Sequence, residues 1–147
     1  LQSLRLGTDI DLVSHSSVQV GTGSNRISQE LTVRLMQFNS INNSAFTNSR
    51  LSWDTRSIGR QRQMEFFIFG TVGINYVLSN IFIEGSIFTT SRGPVNAKIE
   101  PWLFHNRFGF VISKHDISWS LIFHQLTNEV VGGSSHGYGS MALAVRF

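Results

Sequence analysis

Three observations in the sequence predict an all-β fold, an antiparallel transmembrane β-barrel. Apolar residues make up 41% of the chain and charged residues only 14%, whereas about 25% of a typical soluble domain is charged. No stretch reaches the roughly 18 uninterrupted apolar residues of a transmembrane helix, and the mean hydropathy is near neutral at +0.01. Apolar and polar residues instead alternate with a period of two, which is typical of barrel strands.

The alternation is clearest in the C-terminal segment, Gly137 to Phe147. Its apolar positions are Gly139, Met141, Leu143, Val145 and Phe147. The intervening side chains are mostly small or polar, so the segment has one apolar face and one polar face. Since outer-membrane barrels commonly end on an aromatic residue within a strand, we expect this segment to be the closing strand of the barrel.

A hairpin is predicted immediately before this segment. Alternation from Trp102 to Ser113 and from Ile117 to His124 indicates two strands, and Lys114 to Asp116 supplies a short polar turn. A longer strand is predicted from Met64 to Leu78, where Gly70 marks a bend or a close approach.

The remaining strands are predicted from shorter patterns. Ser79 and Asn80 form a tight turn into a strand from Ile81 to Phe88, and two earlier strands span Ile10 to Val20 and Thr32 to Met36. Segments rich in Gly, Ser, Asn and Thr are predicted loops: Gly21 to Arg26, Phe38 to Ser49, Thr89 to Asn96 and Thr127 to His136. We therefore expect about seven or eight strands, with tight and long connections in alternation.

Aromatic residues near the predicted strand ends resemble the interfacial girdles of membrane barrels. They are Trp102, Phe104, Trp119, Phe123, Tyr138 and Phe147. A soluble β-sandwich or a lipocalin-like barrel has the same period of two, so periodicity alone leaves these alternatives open. The girdles and the terminal aromatic residue favour the membrane barrel.

The composition also bears on partners and on completeness. The net charge is +3, but the twelve basic residues are spread along the chain without a basic block, so we expect no nucleic-acid partner. The sequence starts at Leu1 with neither Met nor a signal peptide, although a secreted barrel requires one. We therefore expect residues 1–147 to be one unit, the C-terminal part of a single outer-membrane barrel domain.

The histidines are the first candidates for chemistry. His115 lies in a polar turn and His136 in a Gly/Ser loop, so both are expected to be solvated. His124 has the same parity as neighbouring serines, that is, it lies an even number of positions from them and on the same face of the strand. We therefore expect it inside the barrel, in a hydrogen-bonded structural role. His15 cannot meet the adjacent serine, but it shares a face with Ser17. A base and a nucleophile need such proximity, so His15 is the one candidate catalytic residue.

The acidic residues give no specific site. An Asp-x-Asp pair near the N-terminus is only a weak indication of calcium, and no metal-ligand spacing is present. The interior-facing acids Glu84 and Glu100 offer an acid and base pair, but such acids commonly pair with arginines such as Arg34 or Arg107 for structural reasons. From the residues alone, no active site and no metal ligand is assigned.

Several strings in the sequence resemble the lipid A 3'-O-deacylase family of bacterial outer membranes. They are Asp11 to His15, Val20-Gly21, Leu31 to Arg34, Asn80 to Phe88, Arg107 to Val111, Ile117 to Leu121 and Ala144 to Phe147. Their order and spacing agree with the C-terminal half of that family over nearly the whole chain. The segment that begins at Asn80 is fairly specific, whereas many barrels share the last strand.

The resemblance implies an outer-membrane barrel of twelve strands that hydrolyses the ester of an acyloxyacyl chain on lipid A with calcium as cofactor. In the family, the catalytic and calcium-binding residues lie in the N-terminal half, around an Asn-Asp and a His with a Gly-Glu, and those motifs do not occur in this chain. No catalytic residue is carried over, and His15 matches a family histidine of unassigned role. The implied partners are lipid A or lipopolysaccharide, the outer-membrane bilayer and the barrel assembly machinery, which reads the C-terminal strand.

In the implied reaction a His base activates water or a Ser, and calcium polarises the ester carbonyl. Arg60 and Arg62, which precede a predicted strand, are candidates for contact with the lipid A phosphates. Two alternatives remain open: a complete eight-stranded barrel with a structural or adhesive role, and a soluble β-sandwich binding module. A signal peptide directly before Leu1 would favour the first, and outer-membrane fractionation separates a barrel from the second.

Overall fold

The computed structural model describes residues 2–6, 9–41, 44–46, 64–84, 98–115 and 117–145. Within these ranges the chain forms seven strands: β1 (Gln2–Arg5), β2 (Ile10–Gln19), β3 (Ser24–Gln37), β4 (Met64–Asn80), β5 (Trp102–Lys114), β6 (Ile117–Leu126) and β7 (His136–Val145). A short helix, α1 (Ile81–Glu84), follows β4. The all-β fold that the period of two predicts is confirmed.

The strands form one antiparallel sheet in chain order, with β1 at one edge and β7 at the other. The longest ladder joins β3 to β4 and extends over all of β3, from Ser24 to Gln37. Such a meander is the arrangement of neighbouring strands in a barrel wall. In the described ranges, no helix has the length and apolar character needed to cross a membrane.

The two faces of the sheet differ in polarity, because successive side chains of a strand point to opposite faces. The outer face exposes large apolar side chains, among them Leu31, Val33, Ile68, Val72, Leu78, Phe104, Phe108, Met141 and Leu143. The inner face, against which residues 38–41 and 44–46 pack, buries polar side chains: Asp11, Thr32, Arg34, Glu65, Thr71, Ser113 and Ser118. A sheet in water has the reverse distribution, so the outer face is suited to lipid.

β4 continues through two positions where the sequence predicted an interruption. Gly70 lies on the outer face and pairs with strands on both sides without a break. A Cβ at Gly70 would meet nothing within 4 Å, so it marks neither the predicted bend nor a close approach. Ser79 pairs with Asn25 instead of forming a tight turn, and its hydroxyl accepts a hydrogen bond from the Asn25 amide at 2.7 Å. Pairing with β3 thus outweighs the local turn signal. Residues 81–84 are helical, so the strand predicted to start there is wrong, and residues 85–97 lie outside the described part of the chain.

The predicted loop from Gly21 to Arg26 is shorter in the structure. β3 already begins at Ser24, which pairs with Asn80, and the register shifts between Asn25 and Arg26. The side-chain oxygen of Asn25 accepts a hydrogen bond from Gly21 N at 2.9 Å and closes the turn. An Asn side chain that bonds nearby backbone in this way replaces a longer loop.

The β5–β6 hairpin and the C-terminal strand agree with the sequence. Lys114 and Ile117 pair at the end of the hairpin, and His115 has a φ of 54°, a left-handed conformation that tight turns use. β7 pairs with β6 along its whole length, although residues 146–147 lie outside the described part. β1 was not predicted, because four residues are too few to show a period.

Tight and long connections do not alternate in the way that the sequence suggested. Every second connection of an antiparallel meander starts and finishes at the same end of the sheet, so β3 ends and β4 begins at the end that has the tight turn at His115. The opposite end has residues 20–23 and 127–135, and there β4 ends and β5 begins. Each end therefore joins some strands that are close in sequence and some that are far apart.

Candidate functional site

Glu30 is the centre of a polar cluster on the inner face. It lies on β3, and its carboxylate has partners from two other strands. Its Oε1 lies 3.1 Å from His105 Nε2, and its Oε2 accepts a hydrogen bond from Arg107 Nη2 at 2.6 Å, both on β5. His15 Nδ1, on β2, lies 3.8 Å from the same Oε2. Three strands thus converge on one half-buried carboxylate.

Gly73 makes this convergence possible. β4 runs between β3 and β5, and Gly73 pairs with Glu30 on one side and with His105 on the other. A Cβ at this position would overlap the His105 ring and lie 3.1 Å from Cγ of Glu30. Because β4 has no side chain here, the side chains of β3 and β5 meet directly above it.

The hydrogen bonds of His105 assign its tautomer. Asn75 Nδ2 lies 3.2 Å from His105 Nδ1, and because an amide nitrogen only donates, Nδ1 is the acceptor. Nε2 then has the proton and donates it to Glu30. Since both ring nitrogens are occupied, His105 has no free lone pair for a substrate proton, and it links strands within the wall.

His15, the candidate catalytic residue of the sequence, lies on the inner face with 45% of its side chain exposed. In the structure His15 lies beside Glu30. It forms no hydrogen bond with Ser17, which is also among the described residues. Ser16 lies on the opposite face, as its parity predicted, and donates a hydrogen bond to the Gln29 side chain. A catalytic role of His15 stays a prediction.

His124 has the structural role that its parity predicts. Its Nε2 lies 3.0 Å from Ser140 Oγ, and its ring stacks on Tyr138 with the ring centroids 4.5 Å apart. Tyr138 therefore lies on the inner face, and its assignment to a lipid-facing girdle is wrong because it pairs directly with His124 across the ladder. His115 and His136 are exposed, as expected.

A second polar network surrounds Arg34, which is fully buried. Its guanidinium donates to the Asp11 carboxylate through Nε, at 3.1 Å, and through Nη2. Its Nη1 donates to Ser44 Oγ at 3.0 Å. The expected pairing of interior arginines with acids is therefore present, with Asp11 as the partner of Arg34 and Glu30 as the partner of Arg107.

Of the two acids singled out in the sequence, Glu100 belongs to neither network. Glu100 lines a cavity of about 470 Å³ beside the β2–β3 turn, at the opposite end of the sheet from Arg34. The side chain of Glu84 lies outside the described part, so its pairing with Glu100 stays a prediction. Arg60 and Arg62 also lie outside the described residues, and their contact with phosphate stays a prediction.

Glu65 is an interior acid that the sequence reasoning missed. Its side chain is buried, and its carboxylate accepts hydrogen bonds from Asn39 N at 2.6 Å and from Ala45 N at 2.7 Å. The described part of the predicted loop from Phe38 to Ser49 thus folds onto the inner face. Phenylalanines within this Asn- and Ser-rich stretch were the signal for burial, since a solvated loop has little use for them.

The comparisons with known proteins agree with this wall. The sequence matches the model of the family described as outer membrane protein LpxR over residues 2–147. Among solved structures, the chain is similar to LpxR from Salmonella typhimurium, with a TM-score of 0.71 and 18% identity, over 99% of this chain and 49% of that chain. The chain thus spans about half the length of the structure that it matches. A search of curated proteins found no match.

The family resemblance noted in the sequence is confirmed by the family model, which extends over nearly the whole chain. The similar structure supports the barrel fold, because its TM-score is high over almost all of this chain. The polar inner face and the apolar outer face are the two surfaces that such a wall requires. The chain belongs to the outer membrane protein LpxR family, and the bilayer that meets its outer face is the bacterial outer membrane.

Proposed function

We propose that this chain is the C-terminal part of an outer-membrane enzyme that hydrolyses an ester of lipid A and releases an acyl chain, as a lipid A 3'-O-deacylase does. The family match over residues 2–147 supports this activity. The structural observation that carries the proposal is the apolar outer face, which sets the wall in the lipid layer where such a substrate lies. The coverage of 49% of the related structure supports a barrel completed by further strands.

In this proposal the described strands supply the wall and its internal bracing. Glu30 joins β2, β3 and β5, and Arg34 joins β3 to β2 and to the chain that follows β3. An active site on a barrel wall needs such bracing, because reacting groups must be held within a fraction of an ångström of the productive geometry. The groups that cleave the ester belong mainly to the other part of the protein.

His15 is the described side chain that we propose for proton transfer. It is partly exposed, and the Glu30 carboxylate lies 3.8 Å from its Nδ1. A carboxylate at this position orients the imidazole ring, and a general base must be held in a fixed orientation. His105 is less suited, because Asn75 and Glu30 occupy both of its ring nitrogens.

Calcium, the proposed cofactor, does not fit the described residues. It takes about six to eight oxygen ligands, and three acids of the inner face are already bound: Asp11 by Arg34, Glu30 by Arg107, and Glu65 by backbone amides. Among the residues that the structure describes, no three or more His, Asp and Glu side chains are placed to hold a metal. We therefore propose that calcium binds outside this part of the chain.

Lipid A phosphates and the barrel assembly machinery are the proposed partners. Arg60 and Arg62 are proposed for phosphate contact from the geometry of guanidinium groups alone. The assembly machinery is proposed to read β7, since β7 is an edge strand of the described sheet and has exposed apolar side chains at Met141 and Leu143. Edge strands present the unpaired backbone groups that another strand recognises.

Lipid A analysis tests the proposal. The protein that contains this chain is expressed in the outer membrane of a strain whose lipid A has an acyloxyacyl chain. Mass spectrometry is expected to show a new lipid A species that lacks this group, together with the released fatty acid. Unchanged lipid A, from protein whose heat-modified migration in detergent gels shows that it is folded, would contradict the esterase and favour a structural or adhesive barrel.

A further inference from the structure

The chain that leaves β3 turns back onto the inner face of the sheet. Residues 38–41 and 44–46 are termed the inner segment. Its buried residues are Phe38, Asn39, Ile41, Ser44 and Ala45. Ordinary connections run over the protein surface, because a buried backbone must find partners for its polar groups. The inner segment has such partners and is part of the barrel interior.

Two charged side chains of the wall hold the inner segment. Glu65, at the start of β4, accepts hydrogen bonds from the backbone N–H groups of Asn39 and Ala45. Arg34, on β3, donates to Ser44 Oγ. Hydrogen bonds to charged groups are about twice as strong as neutral ones. Removal of the segment would leave the Glu65 carboxylate without these donors. The arrangement in which the inner segment packs on the wall is therefore strongly favoured.

Aromatic packing fills the space between the inner segment and the wall. One buried cluster contains Phe38, Ala45, Phe67, Phe69 and Val111. Phe46 packs edge-on against Phe69, with the ring centroids 5.2 Å apart, and the Arg34 guanidinium lies 4.6 Å from the Phe38 ring centroid. The inner segment is therefore closely packed against the described wall, and close packing leaves little room for water or ions.

We propose that the inner segment seals one end of the barrel interior, so that the barrel is not an open pore for ions or small polar solutes. Wall side chains alone fill a barrel only up to about eight strands. This chain supplies seven strands and covers about half of the related structure, so the complete interior needs a further filling element. The seal depends on the fold and the family and goes beyond the proposed esterase activity, so failure of that activity would leave the seal intact.

Ion conductance of the complete purified protein in planar lipid bilayers tests the seal. The wild-type protein is expected to give no stable conductance steps. Glu65→Ala removes the acceptor of both backbone N–H groups and is expected to raise conductance at least about tenfold, because it releases the inner segment from the wall. Glu30→Ala is the matched control, because it removes another inner-face carboxylate whose partners lie on β2 and β5. The control is expected to stay closed.

A thiol probe gives a second readout that does not depend on the folding of Glu65→Ala. This chain has no cysteine, so Ser44→Cys adds a thiol at a fully buried position of the inner segment. A membrane-impermeant maleimide is expected to label it at least about tenfold more slowly than Ser135→Cys, which lies in an exposed loop, because labelling requires local opening.

The conductance and labelling experiments can each contradict the seal. Stable pores formed by the wild-type protein, or equally fast labelling of Ser44→Cys and Ser135→Cys, would overturn the seal. A folded Glu65→Ala variant that stays closed would overturn the anchoring by Glu65. Opening by Glu30→Ala to the same degree would show that any loss of an interior carboxylate loosens the barrel, which also contradicts the proposal.

Discussion

Glu30 on β3 and His105 on β5 lie 3.1 Å apart, carboxylate oxygen to ring nitrogen, across the intervening strand β4. The contact exists because Gly73, the residue of β4 between them, has no side chain. It joins positions that are 75 residues apart in sequence, so it forms only when three strands are in register. The contact is therefore a sensitive indicator of correct packing on the inner face.

Gly73→Ala is expected to destabilise the barrel by about 1–3 kcal/mol, the usual cost of overpacking, because the new methyl group would overlap the His105 ring. The unfolding midpoint in urea, measured in lipid vesicles, checks this. Gly70→Ala is the matched control on the same strand, since a Cβ at Gly70 meets nothing within 4 Å. Equal midpoints for the two variants would contradict the close approach at Gly73.

Arg34→Ala is expected to cost about 3–5 kcal/mol of stability, because it leaves the Asp11 carboxylate buried without its partner. Arg107→Ala is the comparison and is expected to cost less, because the Arg107 side chain is 31% exposed and Glu30 keeps His105 as a partner. Urea unfolding of both variants gives the difference. A loss for Arg34→Ala no larger than that for Arg107→Ala would mean that the Arg34 network does not stabilise the wall.

The period of two predicted β2 to β7 and the polarity of the two faces, because the alternation of side chains can be read directly from the sequence. It missed β1 and wrongly predicted a strand from Ile81. Parity also placed His124 and Arg34 on the inner face. Parity does not reveal which side chains meet across strands, since partners depend on the register between distant segments. For this reason Arg34 was expected to pair with an interior acid, yet Asp11 was not identified as that acid.

Local signals failed where long-range pairing or burial outweighed them. Ser79 and Asn80 have the composition of a turn, but the start of β3 extends β4 through both. The stretch from Phe38 to Ser49 has the composition of a loop, but in its described part Glu65 binds two backbone amides on the inner face of the sheet. Gly73 was not singled out, because glycine is needed there to make room for side chains of two other strands.

Val72→Arg tests the direction of the outer face. Val72 is 57% exposed near the middle of β4, and an Arg that faces lipid at mid-depth is expected to cost about 2–4 kcal/mol. Unfolding in lipid vesicles measures the loss. Ser134→Arg, in the exposed loop before β7, is expected to change stability by less than about 0.5 kcal/mol. If the two variants were equally stable, the outer face would not lie in lipid.

Chelation separates the proposed cofactor from the fold. EDTA is expected to abolish lipid A deacylation, and added calcium is expected to restore it, because the proposed ion polarises the ester. The heat-modified migration of the protein is expected to stay unchanged, since the described interior acids bind Arg34, Arg107 and backbone amides. A barrel that loses its folded migration in EDTA would show that calcium is part of the wall.

His15→Ala is expected to lower the rate of acyl release by about 10²–10⁴-fold, the usual contribution of a general base, without a change in the urea midpoint. His136→Ala is the control, because His136 is exposed at the start of β7. If His15→Ala kept wild-type activity, His15 would have no part in the reaction, and the base would belong to the part of the protein outside residues 1–147. If activity fell together with the urea midpoint, the contact of His15 with Glu30 would be needed for the stability of the wall.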